Sequence, residues 1–225
     1  AVIITAGFAE SGEEGARLEA QVLSKAKGYG MRVLGPNCTG MYSGAVDLPL
    51  GTSAAFLTGR YLKGCVGLVT QSGALGTALL PRAKERGVGI SFWFSTGNQM
   101  DLDTASLLSA GVRSGGTRAV CLYLEAIRDV MQMTAAAQAA LNAGVPIVAL
   151  KVGSSKIGAE RAQAHTGALI GADSAYDGYL RQQGIARVTS IDHLLPVAAT
   201  FSSSRPFGSG RVAVFSISGA LAAHS

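Results

Sequence analysis

The sequence predicts an α/β protein built on a doubly wound parallel sheet. Short apolar runs alternate with helix-patterned stretches, glycines close those stretches, and the apolar runs give way to polar, glycine-containing loops. At 225 residues, 48% hydrophobic and 15% charged, the chain has enough apolar surface for one large domain or one and a half, and disorder is excluded.

Ala1 to Thr5 reads as a short apolar strand. Ser11 and Glu14 form an S-x-x-E capping box into a helix with Leu18, Val22 and Ala26 on one face, stopped by Gly28 and Gly30. Met31 to Leu34 is a second strand running into GPNCTG, Gly35 to Gly40, a turn of the kind found at the carboxyl end of a parallel strand. This is the tail of a nucleotide-binding unit, without the G-x-G-x-x-G fingerprint that a dinucleotide site needs. Patterning fades from Met41 to Lys63, where an interdomain link is expected.

The main unit begins with the strand CVGLVT at Cys65 and the turn QSGALG, then a helix with Leu75, Leu79 and Ala83 facing inward, closed by Gly87. Strand Gly89 to Ser95 leads to TGNQMDLD and a short helix ending at about Leu108. Strand Ala119 to Leu124 leads to EAIRD and a Met- and Ala-rich helix ending near Gly144. Strand Val145 to Lys151 delivers KVGSSKIGAERAQAHTGALIGAD, after which Asp173 caps a helix carrying Tyr176 and Leu180, stopped by Gly184. Ile185 to Val188 is the last short strand, and Ser190 caps a helix to about Thr200. LVTQSGAL at Leu68 echoes VFSISGAL at Val214, so RPFGSG reads as a linker into a second α/β unit, though any strand-to-helix turn favours Ser and Gly. The expected division is therefore 1–45, a nucleotide-binding tail; 46–63, a link; 64–204, the main unit; and 205–225, a linker and the start of another subdomain. Both ends read as cut from something longer.

Composition narrows function. The formal charge is +5 and the pI near 9.3, but Lys and Arg are scattered and no basic run is interleaved with aromatics. Small phosphate-rich molecules are the expected ligands, not nucleic acid. Three widely spaced cysteines, Cys38, Cys65 and Cys121, point to a reduced, cytoplasmic compartment. No apolar run is long enough to cross a bilayer, and AVIITAG carries no charged leader, so no membrane partner is expected.

Ligands of such sheets gather beyond the carboxyl ends of the strands, so QSGALG, STGNQMD, EAIRD and the histidine loop should share one rim. His165, followed by Thr166 and Gly167 among small residues, lies where open backbone N–H groups bind an anion and an imidazole accepts a phosphoryl group. The plain alternative is a surface or capping histidine. Ser72, Gly73 and Ala74 open a helix whose positive end suits phosphate. Glu125 ends an apolar strand that needs no carboxylate for packing; it is expected to accept from one imidazole nitrogen and aim the other outward, with Asp129 as its substitute. Asn37 and Cys38 end the preceding unit, where the thiol end of a carrier meets the phosphate rim; Cys38 as a nucleophile lacks a neighbouring base. Lys151 and Lys156 flank the loop as phosphate-steering groups or as solvated surface lysines. His193 and His224 read as structural and Trp93 as core, and no cluster has metal-ligand spacing.

GPNCTG, TQSGALGTAL, STGNQMDLD, YLEAIRD and KVGSSKIGAERAQAHTGALIGAD, in this order, resemble the nucleoside-diphosphate-forming acyl-CoA synthetases, the superfamily of the succinyl-CoA synthetase alpha subunit. The resemblance implies a flavodoxin-like, CoA-ligase type sheet preceded by the tail of a Rossmann-like CoA-binding domain. It implies that phosphate converts acyl-CoA to acyl phosphate and CoA, and that the phosphoryl passes to histidine and then to ADP or GDP. By position His165 looks like the phosphorylated histidine and Glu125 like its orienting carboxylate. Ser72, Gly73 and Ala74 match the phosphate-holding helix end, and Asn37 and Cys38 the turn near the CoA thiol. The ATP/ADP and Mg2+ site is expected on an ATP-grasp domain or subunit, within a homo- or hetero-oligomer. The alternative is a non-catalytic acyl-CoA or nucleotide sensor of the kind fused to acetyltransferases. A flavodoxin-like flavin or phosphate binder is what the pattern supports without the resemblance.

Overall fold

The computed structural model describes residues 1–153 and 173–203. Its centre is a seven-stranded sheet. The strands are β1 (Gly40–Ser43), β2 (Leu48–Gly51), β3 (Lys63–Thr70), β4 (Ile90–Ser95), β5 (Ala119–Leu124), β6 (Ile147–Lys151) and β7 (Ala186–Val188), in the order β2-β1-β4-β3-β5-β6-β7. β4, β3, β5, β6 and β7 pair in parallel, while β1 pairs antiparallel with both β2 and β4. The helices are α1 (Glu13–Gly28), α2 (Ala54–Leu57), α3 (Gly73–Glu85), α4 (Thr104–Arg113), α5 (Val130–Asn142), α6 (Asp173–Gln182) and α7 (Ile191–Ser203).

β5 shows why the sheet is wound on both faces. Every residue of AVCLYL is buried, so its alternate side chains need apolar cover on opposite sides. Val120, Leu122 and Leu124 pack with Leu107 and Leu108 of α4 and Met133 and Ala136 of α5. Ala119, Cys121 and Tyr123 share the other core with Leu79 and Leu80 of α3 and Leu194 and Leu195 of α7. Polar side chains set the helix starts: Ser72 Oγ accepts from Leu75 N, Asp103 Oδ1 from Ser106 N and Asp129 Oδ1 from Gln132 N.

Several expectations change. The Ser11–Glu14 capping box does not form; Ser11 ends a 3-10 turn, α1 starts at Glu13, and no side chain caps it. Glu10 instead accepts from the Gly7 and Phe8 amides. Leu18 is exposed, and the buried residues of α1 are Gly15, Glu19 and Ala26. Ala1–Thr5 and Met31–Leu34 make a single parallel bridge, Val2 to Leu34, rather than strands. α4 runs on to Arg113. The stretch 46–63, where no period was legible, holds β2 and α2. Phe56 and Tyr61 pack against Tyr42 of β1 in tilted and edge-on contacts, and Phe56 also meets Trp93 of β4 at 5.4 Å between ring centres. Antiparallel edge strands this short leave little periodicity to read.

Phe92 occupies space that two glycines leave open. A Cβ on Gly67 of β3 or Gly111 of α4 would lie 2.2 or 2.3 Å from the Phe92 ring, so α4 can settle against the sheet only while both lack side chains. Gly67→Val is expected to lower stability by about 1–3 kcal/mol, the usual cost of overpacking, read as a lower urea midpoint of unfolding.

Candidate functional site

A cavity of about 340 Å³ lies beyond the carboxyl ends of β3, β4 and β5. β3 lies between β4 and β5 in the sheet, with the core around α3 on one face and that around α4 on the other. This is the switch point where doubly wound sheets take ligands. Three of the four loops expected on one rim meet there: Gln71–Ala74, Gly97–Gln99 and Glu125–Ala126, with Arg128 beside them. The turn carrying Asn37, Cys38 and Thr39 lines the cavity as well, with Thr39 Oγ1 donating to Gly73 O at 3.4 Å. His165, Thr166, Gly167 and Lys156 lie outside the described residues, as do His224 and the VFSISGAL echo.

The floor is the start of α3. Ser72 Oγ accepts from Leu75 N at 3.4 Å and Ser72 O from Gly76 N at 2.9 Å. The Gly73 and Ala74 amides are left with no acceptor among the described residues. Two open amides at the positive end of a helix have the chemistry that suits an anion.

Glu125 is 7% exposed and lines the same cavity. Its strand end is fixed from both sides, since Gln71 N donates to Tyr123 O at 3.2 Å and Val152 N to Leu124 O at 2.9 Å. Burial, and then the negative charge of Glu125, push the Tyr123 hydroxyl up to about 12. Lys151, at the end of β6, is 4% exposed and sits over the Tyr176 ring at 4.5 Å. It is therefore not a solvated surface lysine. Burial pulls its ammonium below the usual lysine range, against the attraction of Asp173 and Glu125.

The turn from Gly35 to Thr39 is laced to the main sheet. Asn98 N donates to Pro36 O at 2.8 Å, Met100 N to Gly35 O at 3.1 Å and Thr39 N to Ser95 Oγ at 3.1 Å. Gly97, at φ +57°, lies so near that a Cβ would sit 2.0 Å from Pro36 O. Asp101 Oδ2 accepts from Arg32 Nε at 2.9 Å and from Val33 N at 2.7 Å. Partial burial works against ionisation of Asp101, but Arg32 and the Val33 amide outweigh it and hold its carboxyl below the usual range. Glu10 reaches the cavity mouth, where Asn98 Nδ2 donates to its Oε2 at 2.5 Å and to Glu19 Oε2 at 2.9 Å.

The Cys38 thiol is 2% exposed and donates to Ile3 O at 3.3 Å. Burial raises its pKa, so it is a poor nucleophile. His193 is exposed on α7, away from the cavity lining, and Trp93 is fully buried. Gln71, Asn98, Gln99, Arg128 and Glu10 also line the cavity but were not singled out as site residues in the sequence. The rim rule was the signal for the first four, because each lies in a loop that follows a parallel strand.

The chain matches the succinyl-CoA ligase like flavodoxin domain over residues 63–201. It belongs to that family. It is 37% identical over 218 residues to the alpha subunit of acetate–CoA ligase [ADP-forming] II of Pyrococcus furiosus, covering 97% of this chain and 46% of the relative. It is 36% identical to 4-hydroxybutyrate–CoA ligase [ADP-forming] of Nitrosopumilus maritimus, covering 97% of this chain and 31% of the relative. The fold is similar to that of a dinucleotide forming acetyl-coenzyme A synthetase 1 of Ca. Korarchaeum cryptofilum in complex with phosphate and ADP. The TM-score is 0.84 at 33% identity, over 92% of this chain and 44% of that one. The chain thus spans less than half the length of these relatives. No helix among the described residues is long and apolar enough to cross a membrane.

Two predictions test this wall of the family's fold. Because the Asp101 carboxyl is held low, its pairing with Arg32 and Val33 is fully present above its unfolded value of about 3.9 and is lost as pH falls through the lower folded value. The urea-midpoint advantage of the wild type over Asp101→Asn should therefore narrow below about pH 4. Native thiol labelling at pH 8, mapped by peptide mass, should modify the half-buried Cys65 and spare Cys38 and Cys121, since burial raises both thiols, Cys121 to about 12.

Proposed function

We propose that the complete protein is a nucleoside-diphosphate-forming acyl-CoA synthetase, and that this chain carries its acyl-phosphate and phosphohistidine half. The observation that carries the reading is that one cavity holds the open amides of Gly73 and Ala74, the buried Glu125 carboxylate and the Asn37–Cys38 turn. The ADP-forming ligases and the synthetase to which the chain is similar support it.

Phosphate rests on the start of α3, where the Gly73 and Ala74 amides and the Ser72 hydroxyl balance its charge. One of its oxygens attacks the thioester carbonyl of acyl-CoA brought in past Asn37 and Cys38. The C–S bond breaks, and CoA leaves as thiolate and takes a proton. His165 then attacks the phosphorus of the acyl phosphate, the bond to the carboxylate oxygen breaks, and the free acid departs. Glu125 accepts the N–H of the other imidazole nitrogen, which fixes the tautomer and stabilises the phosphorylated ring. An oxygen of the ADP β-phosphate, or that of GDP, finally takes the phosphoryl as the P–N bond breaks. Thr166 and Gly167 follow the histidine closely enough in sequence to add amides to the transferring group.

Among the described residues, no group of three His, Cys, Asp or Glu stands close enough to hold a metal ion. Nucleotide and Mg2+ are assigned in this reading to an ATP-grasp domain or subunit that completes the site, a placement supported by the ADP-forming relatives. The compartment that fits CoA chemistry and free thiols is the cytoplasm.

Incubating the complete protein with radiolabelled ATP and magnesium should give phosphate that is labile to acid and stable to alkali. His165→Ala should abolish it, and Glu125→Gln should slow its formation about 10- to 100-fold, as loss of an orienting partner does. Label that survives His165→Ala would falsify the reading. Acyl-CoA binding without any label would mark the chain as a sensor.

A further inference from the structure

Gln71 is the last residue before the phosphate turn, 5% exposed, and its side chain forms four hydrogen bonds. Oε1 accepts from Glu125 N at 2.6 Å and from Ala126 N at 2.9 Å. Nε2 donates to Ala126 O at 2.7 Å and to Thr104 Oγ1 at 2.9 Å. An amide is the neutral group that accepts twice and donates twice at one end, so every bonding position is filled. The bonds do not serve the turn that carries Gln71. They grip the backbone of Glu125 and Ala126, more than fifty residues on.

The far end of the grip is held in turn. Gln99 Oε1 accepts from both Thr104 N and Thr104 Oγ1 at 2.9 Å, and the Gln99 carbonyl accepts from Arg128 Nη1 at 2.8 Å. Arg128 belongs to the loop that Gln71 grips. Gln71, Thr104, Gln99 and Arg128 therefore close a ring through the loops after β3, β4 and β5, and each member of the ring except Thr104 also lines the cavity.

We propose that Gln71 is a positioning residue for the phosphoryl transfer: through the main chain it sets where the Glu125 carboxylate stands relative to the Gly73 and Ala74 amides. This rests on the role given to Glu125 above. The anion seat begins two residues after Gln71 on the same chain, and the carboxylate is attached to the backbone that Gln71 holds. Seat and carboxylate are thus tied together by the Gln71 side chain, in addition to the backbone bonds that hold the end of β5. Gln71 touches neither phosphate nor imidazole in this role and acts through Glu125.

The test is a mutant cycle on the complete protein, reading the single-turnover rate of acid-labile phosphorylation from ATP. Gln71→Met, which keeps the volume and removes all four bonds, should slow that rate about 10- to 100-fold in the wild-type background. In the Glu125→Gln background it should change the rate by less than about twofold, because the group it positions is already disabled. A merely structural Gln71 would give the same loss in both backgrounds, and that result overturns the proposal, as does no loss in either. Should Gln71→Met fail to fold, Thr104→Val carries the test: it removes the hydroxyl's bonds to Gln71 Nε2 and Gln99 Oε1, leaves the three bonds from Gln71 to Glu125 and Ala126, and should slow the rate several-fold, with Thr104→Ser restoring it. Equal rates for wild type and Thr104→Val then overturn the proposal. The His165→Ala control separates the two readings. Label that persists there ends the reading of the whole site, whereas label confined to His165 with additive losses at Gln71 and Glu125 ends this inference alone.

Discussion

Pro36 offers its carbonyl to the Asn98 amide at 2.8 Å, and Gly97 has no side chain to hold the two backbones apart. That approach makes the cavity, because one wall belongs to residues near the start of the chain and the others to loops of the central sheet. Neither Asn37, at φ +55°, nor Gln99, at φ +58°, is glycine, and both take the left-handed conformation. Each is tied down on the far side, Asn37 through its amide N–H to Thr5 O and Gln99 through its side chain to Thr104. Less common backbone geometry is held where surrounding bonds over-determine it, and such positions cluster at sites.

The cavity surface carries charges of both signs. Its lining includes the amides at the start of α3, the carboxylates Glu10 and Glu125, and the guanidinium of Arg128. Glu10 stays ionised despite partial burial, since the Asn98 amide and the Gly7 and Phe8 N–H groups outweigh the desolvation and hold it below the usual carboxylate range. Behind the rim, burial lowers the pKa of Lys151 while Asp173 and Glu125 oppose that shift, and Arg187 pairs with Asp173 at 2.5 Å. A buried cation beside a buried carboxylate limits the field of each, so the site presents hydrogen-bond direction more than net charge.

The central strands were legible because each is an apolar run buried on both faces, and β5 matches its expected bounds, Ala119–Leu124. The rim followed from parallel topology alone, which is how Ser72, Gly73, Ala74 and Glu125 were named before any geometry. What escaped depends on tertiary partners. The hairpin of β1 and β2 is recognisable only beside β4, and Tyr42, Phe56 and Tyr61 make sense only around Trp93. Ser11 and Glu14 satisfied a local motif, yet the amides they were to cap lie where the chain had already turned, with Glu10 serving Gly7 and Phe8. Lys151 reads in the sequence equally as a phosphate-steering group or a solvated surface lysine, and its burial against Tyr176 of α6 removes the second alternative.

Gln71 could not have been separated from its neighbours by sequence reasoning, because QSG reads equally well as simple helix capping. Its value comes from distance along the chain: its partners are more than thirty residues away at Thr104 and more than fifty at Glu125 and Ala126. A short side chain that spans two strand ends couples them more tightly than a surface ion pair would, since the bonds are short, shielded and saturated. Only proline, of all substitutions, takes away the Gly73 or Ala74 amide N–H. The sheet therefore supplies the fixed electrostatics of this cavity through backbone, and side chains such as Gln71 do the part that evolution or an experimenter can alter: the spacing between what binds the anion and what orients the group that attacks it.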